Sequence, residues 1–198
     1  MLKEGDKVPS FDLESDAGGR VSSKSFAGKP AVVYFYPRDL TPGCTRQAIA
    51  FSETAKKFAK LGVTVYGVSK DSLASHQKFR SQCKLTIPLL SDPDLSAHKA
   101  FGAYGEKMMY GKKVQGVIRS TFVIGPDGRV AKVFPSVKVD GHADKVLEAL
   151  GELGGGARSK PAASAKPAAK PKAPPAAKPR TAAKPAPQAT PAKRTAKR

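Results

Sequence analysis

After Leu153 the sequence contains no Val, Ile, Leu, Met, Phe, Tyr or Trp through to Arg198, and this confines folding to the residues before that point. A segment without large apolar side chains cannot bury enough surface to offset the entropy of ordering it. Residues 157–198 hold 12 Lys and Arg, no Asp or Glu, 15 Ala and 9 Pro. Their recurring AKP and AAKP units are low complexity, and proline every few residues breaks helices and biases the chain toward extended conformations. Gly154-Gly155-Gly156 marks the change of composition. The expected organisation is one folded domain over 1–153 and a disordered basic tail over 154–198.

The formal net charge of +19 divides accordingly. Residues 1–156 carry 23 basic against 16 acidic side chains, or +7, and the tail supplies the rest. The sequence has no apolar run of about 18 residues, the length a spanning helix needs. The opening MLKEGDKVPSFDLESD lacks the apolar stretch of a secretory signal. Two cysteines are too few for a disulfide scaffold and fit a reducing compartment. A cytoplasmic protein without a membrane segment is expected.

Within the domain, strand and helix patterns alternate. Ala31–Tyr36 (AVVYFY) is a continuous apolar run of strand length, the pattern of a strand buried on both faces, and Pro37 ends it. From Gly43 to Leu61 apolar residues recur at three- and four-residue spacings (Ala48, Phe51, Ala55, Phe58), and Gly62 is placed to stop that helix. Val63–Ser69 reads as a second buried strand, Ser72–Cys83 as a helix, Ile87–Leu90 as a short strand and Asp94–Phe101 as a short helix. Val117–Ile124 and Arg129–Phe134 flank the turn Pro126-Asp127-Gly128 as a hairpin, and His142–Leu153 is the last helix. Phe11–Leu13 and Arg20–Val21 form an N-terminal hairpin. Helices between strands imply parallel crossovers and the terminal hairpin adds antiparallel strands. The result is an α/β fold of thioredoxin-like type, a mixed sheet flanked by helices.

Cys44 stands where the buried strand gives way to the first helix. With Thr41 as N-cap, Pro42 is the first helical residue and Cys44 the third. The thiol then lies beside unpaired backbone N–H groups and the positive end of the helix dipole, a setting that favours the thiolate. A small buried cysteine at a helix start is the competing reading. Arg119, in the apolar string VIRSTFVI, is costly to bury unless its charge meets an anion or an acceptor; the alternative is an edge-strand arginine that reaches solvent.

The string Pro37-Arg38-Asp39-Leu40-Thr41-Pro42-Gly43-Cys44 carries the P-x-x-x-T-x-x-C spacing of peroxiredoxins, and YFYPRDLTPGCT resembles their peroxiredoxin Q branch, also called bacterioferritin comigratory protein. PSFDL, SHQKF, PLLSDPD, GVIRSTFVI and GHADKVLEAL agree with the branch, so the resemblance spans about residues 3–153 and none of the tail. It implies a thioredoxin-like fold and a thiol peroxidase that reduces hydrogen peroxide or organic hydroperoxides with no metal or organic cofactor. Cys44 then resembles the peroxidatic cysteine, which becomes a sulfenic acid. Thr41 resembles the hydroxyl that meets thiolate and peroxide, and it also suits a plain N-cap. Pro37 resembles the residue that shields the pocket, and it also suits a strand terminator. Arg119 resembles the active-site arginine. The branch further implies a monomer.

Many members of the branch carry a second, resolving cysteine five residues after the first; here that position is Ile49. Cys83, 39 residues on, is the other thiol, and some members resolve from that helix. The resemblance thus implies a Cys44–Cys83 disulfide, reached by local unwinding because a disulfide needs Cα atoms within about 7 Å, and reduced by thioredoxin. A packed bystander Cys83 with an external resolving thiol is the alternative.

His76, His98 and His142 show no metal-ligand spacing and are expected in surface or capping roles. The tail over 157–198 is a polycation whose Lys/Ala/Pro composition resembles histone H1-like tails, pointing to non-specific DNA or nucleoid association, with other polyanions or a merely solvating role as alternatives. A second class of function remains open at this stage: a nucleic-acid-binding thioredoxin-like protein with a sensory or vestigial cysteine.

Overall fold

The computed structural model describes residues 1–109 and 111–154; Gly154, expected to open the tail, is the last residue of the final helix, and residues 155–198 of the expected tail lie outside the described residues. The strands are β1 (Asp12–Ser15), β2 (Arg20–Ser22), β3 (Ala31–Phe35), β4 (Thr64–Ser69), β5 (Leu89–Ser91), β6 (Tyr104–Met109), β7 (Lys112–Val117), β8 (Ser120–Ile124) and β9 (Val130–Phe134). The helices are α1 (Pro42–Lys60), α2 (Leu73–Cys83), α3 (Ser96–Phe101) and α4 (His142–Gly154). Seven strands form one sheet in the order β2-β1-β5-β4-β3-β8-β9. β3, β4 and β5 run parallel, joined by α1 and α2 as crossovers, while β8 lies antiparallel to β3 and β9 antiparallel to β8. This is the mixed, helix-flanked sheet expected of the thioredoxin-like class.

The apolar run of β3 is continuous because both of its faces are covered. Val32, Tyr34 and Tyr36 point into one core with Phe51 and Phe58 of α1, Phe79 of α2 and Val146 of α4. Ala31, Val33 and Phe35 point into the other, with Phe101 of α3 and Phe122 of β8. Gly62, with φ +73°, follows the C-cap Leu61 and ends α1 as expected.

One stretch departs from expectation. Val117–Ile124 is not a single strand: β7 ends at Val117, β8 starts at Ser120, and Ile118 and Arg119 form the break between them. β7 instead pairs antiparallel with β6 in a separate two-stranded sheet, Tyr104 opposite Val117. No sequence pattern announced that hairpin, because its residues (YGEKMM and KKVQGV) are largely polar and Gly-containing.

Candidate active site

The end of β3, the loop Tyr36–Thr41 and the first turn of α1 build the site. Thr41 has extended N-cap geometry (φ −84°, ψ 146°), its carbonyl accepts from Thr45 N at 2.8 Å, and Pro42 opens the helix. Cys44 therefore sits in the first turn, as the spacing implied, and is 1% exposed. The Thr41 hydroxyl does not cap the helix, however. It donates to the Arg38 carbonyl at 3.2 Å. Pro37 is half-buried at the edge of β3, and a hollow of about 360 Å3, lined by Arg38, Leu40, Thr41, Asp71 and Ser75 among others, flanks the loop.

Arg119 reaches the same point from the segment just before the neighbouring strand β8. In the β3–β8 pairing Phe35 faces Ser120, so the residue just before β8 arrives beside the chain that leaves β3. Arg119 Nη2 donates to Cys44 Sγ at 3.3 Å, and Nη1 donates to Gln47 Oε1. The guanidinium lies over Gly43, where a Cβ would stand 3.5 Å from Nη2. Its charge thus meets the sulfur and an amide oxygen rather than escaping to solvent. A cationic donor on a buried sulfur at a helix N-terminus stabilises negative charge there, the condition for a thiolate nucleophile.

Sequence reasoning missed Gln47, which is 1% exposed. Its signal was position: three residues after Cys44 on one helix, it shares the face that Cys44 presents. Reasoning also misplaced the histidines. All three are buried rather than on the surface, at 0%, 0% and 4% exposure for His76, His98 and His142. His76 and His98 are held by the carboxylates of Asp39 and Asp92, and His142 meets Thr121 Oγ1 at 2.8 Å. Burial is tolerated because each ring has a polar partner.

Cys83 is the last residue of α2, half-buried and packed against the core cluster that holds Phe51, Phe79 and Leu85. It borders a hollow of about 600 Å3 together with Ile49, Ser52, Lys56 and Thr86. Both cysteines are free. The segment after Cys83 is tied to α1 at Ser52, whose Oγ accepts from Thr86 N at 3.2 Å and whose carbonyl accepts from Thr86 Oγ1 at 3.1 Å. Ser52 is eight residues past Cys44, about 12 Å along the helix.

The AhpC/TSA family pattern matches residues 4–133. A Helicobacter pylori protein bearing the name peroxiredoxin bcp is 47% identical over 149 residues, 75% of this chain and 98% of its own. Among solved structures, a mutant of Xylella fastidiosa PrxQ superposes with a TM-score of 0.72 at 36% identity, covering 77% of this chain and 98% of that one. The bacterioferritin comigratory protein of Xanthomonas campestris gives 0.69 at 41% identity over 73% of this chain and 92% of that one. Its structures with a trapped intermediate and ligand concern alkyl peroxide reduction activity.

Proposed function

Since the chain belongs to the AhpC/TSA family, as a peroxiredoxin of the Q/Bcp kind, we propose that it reduces hydrogen peroxide and organic hydroperoxides at Cys44 and is regenerated through a Cys44–Cys83 disulfide by thioredoxin. The observation that carries this is the 3.3 Å hydrogen bond from Arg119 Nη2 to the buried Cys44 Sγ. Such a sulfur attacks the terminal peroxide oxygen. The S–O bond forms as the O–O bond breaks, the alcohol or water departs with a proton, and Cys44 is left as a sulfenic acid. Donors fixed before the reaction stabilise the charge that develops on the leaving oxygen. Thr41 and Pro37 shape the peroxide pocket in this reading, and the Xanthomonas campestris relative supports alkyl hydroperoxides as substrates.

Cys83 then attacks Cys44 Sγ, expelling the sulfenic oxygen as water, and thioredoxin reduces the disulfide by thiol exchange. Closing that bond requires the last turn of α2 to unwind and the Thr86–Ser52 hydrogen bonds to break. Peroxide consumption coupled to thioredoxin, thioredoxin reductase and NADPH, in wild type and Cys44→Ser, tests the activity. Intact-mass measurement after one equivalent of peroxide, in wild type and Cys83→Ser, tests the disulfide. Turnover lost in Cys44→Ser and a disulfide absent in Cys83→Ser are expected. An inert Cys44 sinks the first claim, and a wild type that never closes the disulfide sinks the second.

The tail supports a second role. Twelve positive charges and no negative ones over residues 157–198 suit non-specific DNA binding by a cytoplasmic, monomeric enzyme held near the nucleoid, with affinity falling steeply with salt. Gel shifts of the full chain against a 1–156 truncation test it; equal affinities remove the tail from the account.

A further inference from the structure

Between Pro37 and Thr41 the chain is held far more tightly than a surface loop requires. Asp39 is 5% exposed. Its Oδ1 accepts from Tyr36 Oη at 2.7 Å, and its Oδ2 accepts from Ser75 Oγ at 2.7 Å and from His76 Nδ1 at 2.9 Å. The other His76 nitrogen, Nε2, faces the Leu90 carbonyl at 3.2 Å. Both ring nitrogens thus face oxygen atoms, which fixes the ring against the Asp39 carboxylate. Burial alone raises the Asp39 pKa, but the hydrogen bonds from His76 and Ser75 outweigh it and hold the carboxyl below its usual value.

The main chain of the loop is pinned as well. Asp39 N–H donates to Asp71 Oδ2 at 2.8 Å, and Asp71 is steadied by Ser69 Oγ, which donates to the same oxygen at 2.8 Å. That N–H belongs to the peptide unit whose carbonyl is that of Arg38, and the Arg38 carbonyl accepts the Thr41 hydroxyl at 3.2 Å. A peptide unit is planar and rigid, so fixing its N–H fixes its C=O. Between the two, Leu40 is held in a left-handed conformation at φ +57° while 42% exposed. A branched side chain keeps that backbone only where its surroundings impose it.

We propose that Asp39 and Asp71 are positioning residues for the peroxide reaction: together they orient the Arg38–Asp39 peptide and, through its carbonyl, the Thr41 hydroxyl. Neither carboxylate touches the reacting atoms. Buried polar contacts are a weak source of stability compared with apolar packing, and holding geometry is the use that the Asp39–His76 contact serves here. The proposal rests on the reading of Thr41 as the hydroxyl that meets peroxide.

The test compares two rate constants of Cys44, one with hydrogen peroxide and one with iodoacetamide, and takes their ratio. The alkylating agent needs the thiolate but not the Thr41 hydroxyl, so damage to the whole site lowers both rates while loss of positioning lowers only the first. Asp71→Ala is expected to lower the ratio at least tenfold. Asp71→Asn, which keeps an acceptor oxygen for Asp39 N–H, is expected to restore most of it. Thr41→Val is expected to lower the ratio similarly, and Thr41→Val/Asp71→Ala no further than either alone. Ser75→Ala, which removes one hydroxyl from the clamp, is expected to move the ratio in the same direction by less, and it decides the matter if Asp71→Ala does not fold. An unchanged ratio in folded variants overturns the proposal, as do losses that multiply in the double variant. A ratio unmoved by Thr41→Val would instead overturn the reading of Thr41 itself.

Discussion

Arg119 Nη2 stands 3.3 Å from Cys44 Sγ while the other arm of the same guanidinium is taken by Gln47. The fork serves two acceptors at once, which a lysine ammonium on its flexible stem does not do in that fixed geometry. Arg119→Lys is therefore expected to keep the charge yet lower kcat/KM for peroxide by about 100-fold, the scale on which one preorganised donor acts. Initial rates at fixed reductant measure this; a variant within twofold of wild type would show that charge alone suffices.

The turn after β1 reaches the end of α2 through a buried carboxylate. Asp16 Oδ2 lies 2.9 Å from Arg80 Nε, and Asp16 Oδ1 accepts from Leu89 N at 2.8 Å. Arg80, one turn before Cys83, also donates to the Ile87 carbonyl. Asp16→Ala releases these ties. We expect it to cost about 2 kcal/mol, less than a fully buried pair because Arg80 can turn to water. Hydrogen exchange over residues 81–88 should quicken, and so should the closing of the proposed Cys44–Cys83 disulfide. Unchanged exchange in that segment would count against the latch.

His142 gives the fold an acid-sensitive element. Burial, together with the positive charges of Lys145 and Arg119, lowers its pKa from 6.5 to about 4. Between those values the unfolded chain binds a proton that the native state does not, so stability falls as pH drops from 6.5 and the loss is complete below about 4. The buried carboxyls of Asp39 and Asp92 are shifted down from 3.8 and act only below this window. We expect about 2 kcal/mol between pH 7 and pH 4 after allowing for solvent. Urea midpoints for wild type and His142→Gln measure it; identical pH slopes would refute it.

Tyr34 hides a hydroxyl in the core. The side chain is fully buried between Tyr36 and Phe51, and its oxygen has no hydrogen-bond partner among the described residues. Tyr34→Phe is expected to stabilise the protein by about 1 kcal/mol, because it removes an unsatisfied buried group. The opposite holds for Gly67, where a Cβ would stand 2.6 Å from Tyr34 Oη and 2.8 Å from Leu89 Cδ2. Gly67→Ala should cost about 3 kcal/mol by overpacking. Thermal unfolding of both variants checks the pair of signs.

What sequence reasoning reached, and what it missed, follows from where each signal resides. The run AVVYFY exposed β3 because a strand covered on both faces must be apolar at every position, and Thr41-Pro42-Gly43-Cys44 exposed the helix start because caps are local chemistry. Arg119 was found through its motif and through the cost of its charge, yet its place in a break between strands was not, because nothing local distinguishes Ile118 and Arg119 from the strand that follows. Gln47 and His76 escaped because a polar residue within a helix looks solvated until its distant partner is known. For His76 that partner, Asp39, is 37 residues away. The β6–β7 hairpin escaped because YGEKMM and KKVQGV are largely polar and glycine-containing and carry no apolar period.

Cys44 and Arg119 are 75 residues apart, and one strand register joins them: Phe35 opposite Ser120. This gives the enzyme a timetable. A ribosome that has made the first 115 residues has already delivered Cys44, its helix and the parallel heart of the sheet, but not the cation that meets the sulfur. Long-range pairings are the slow events of folding because a large loop must close before they are rewarded. Until β8 docks against β3 the proposed nucleophile has its helix N-terminus but lacks the Arg119 donor, so on the proposed mechanism a nascent or half-folded chain reacts with oxidant more slowly than the finished enzyme. Completing the core and setting the cation on the sulfur are a single event.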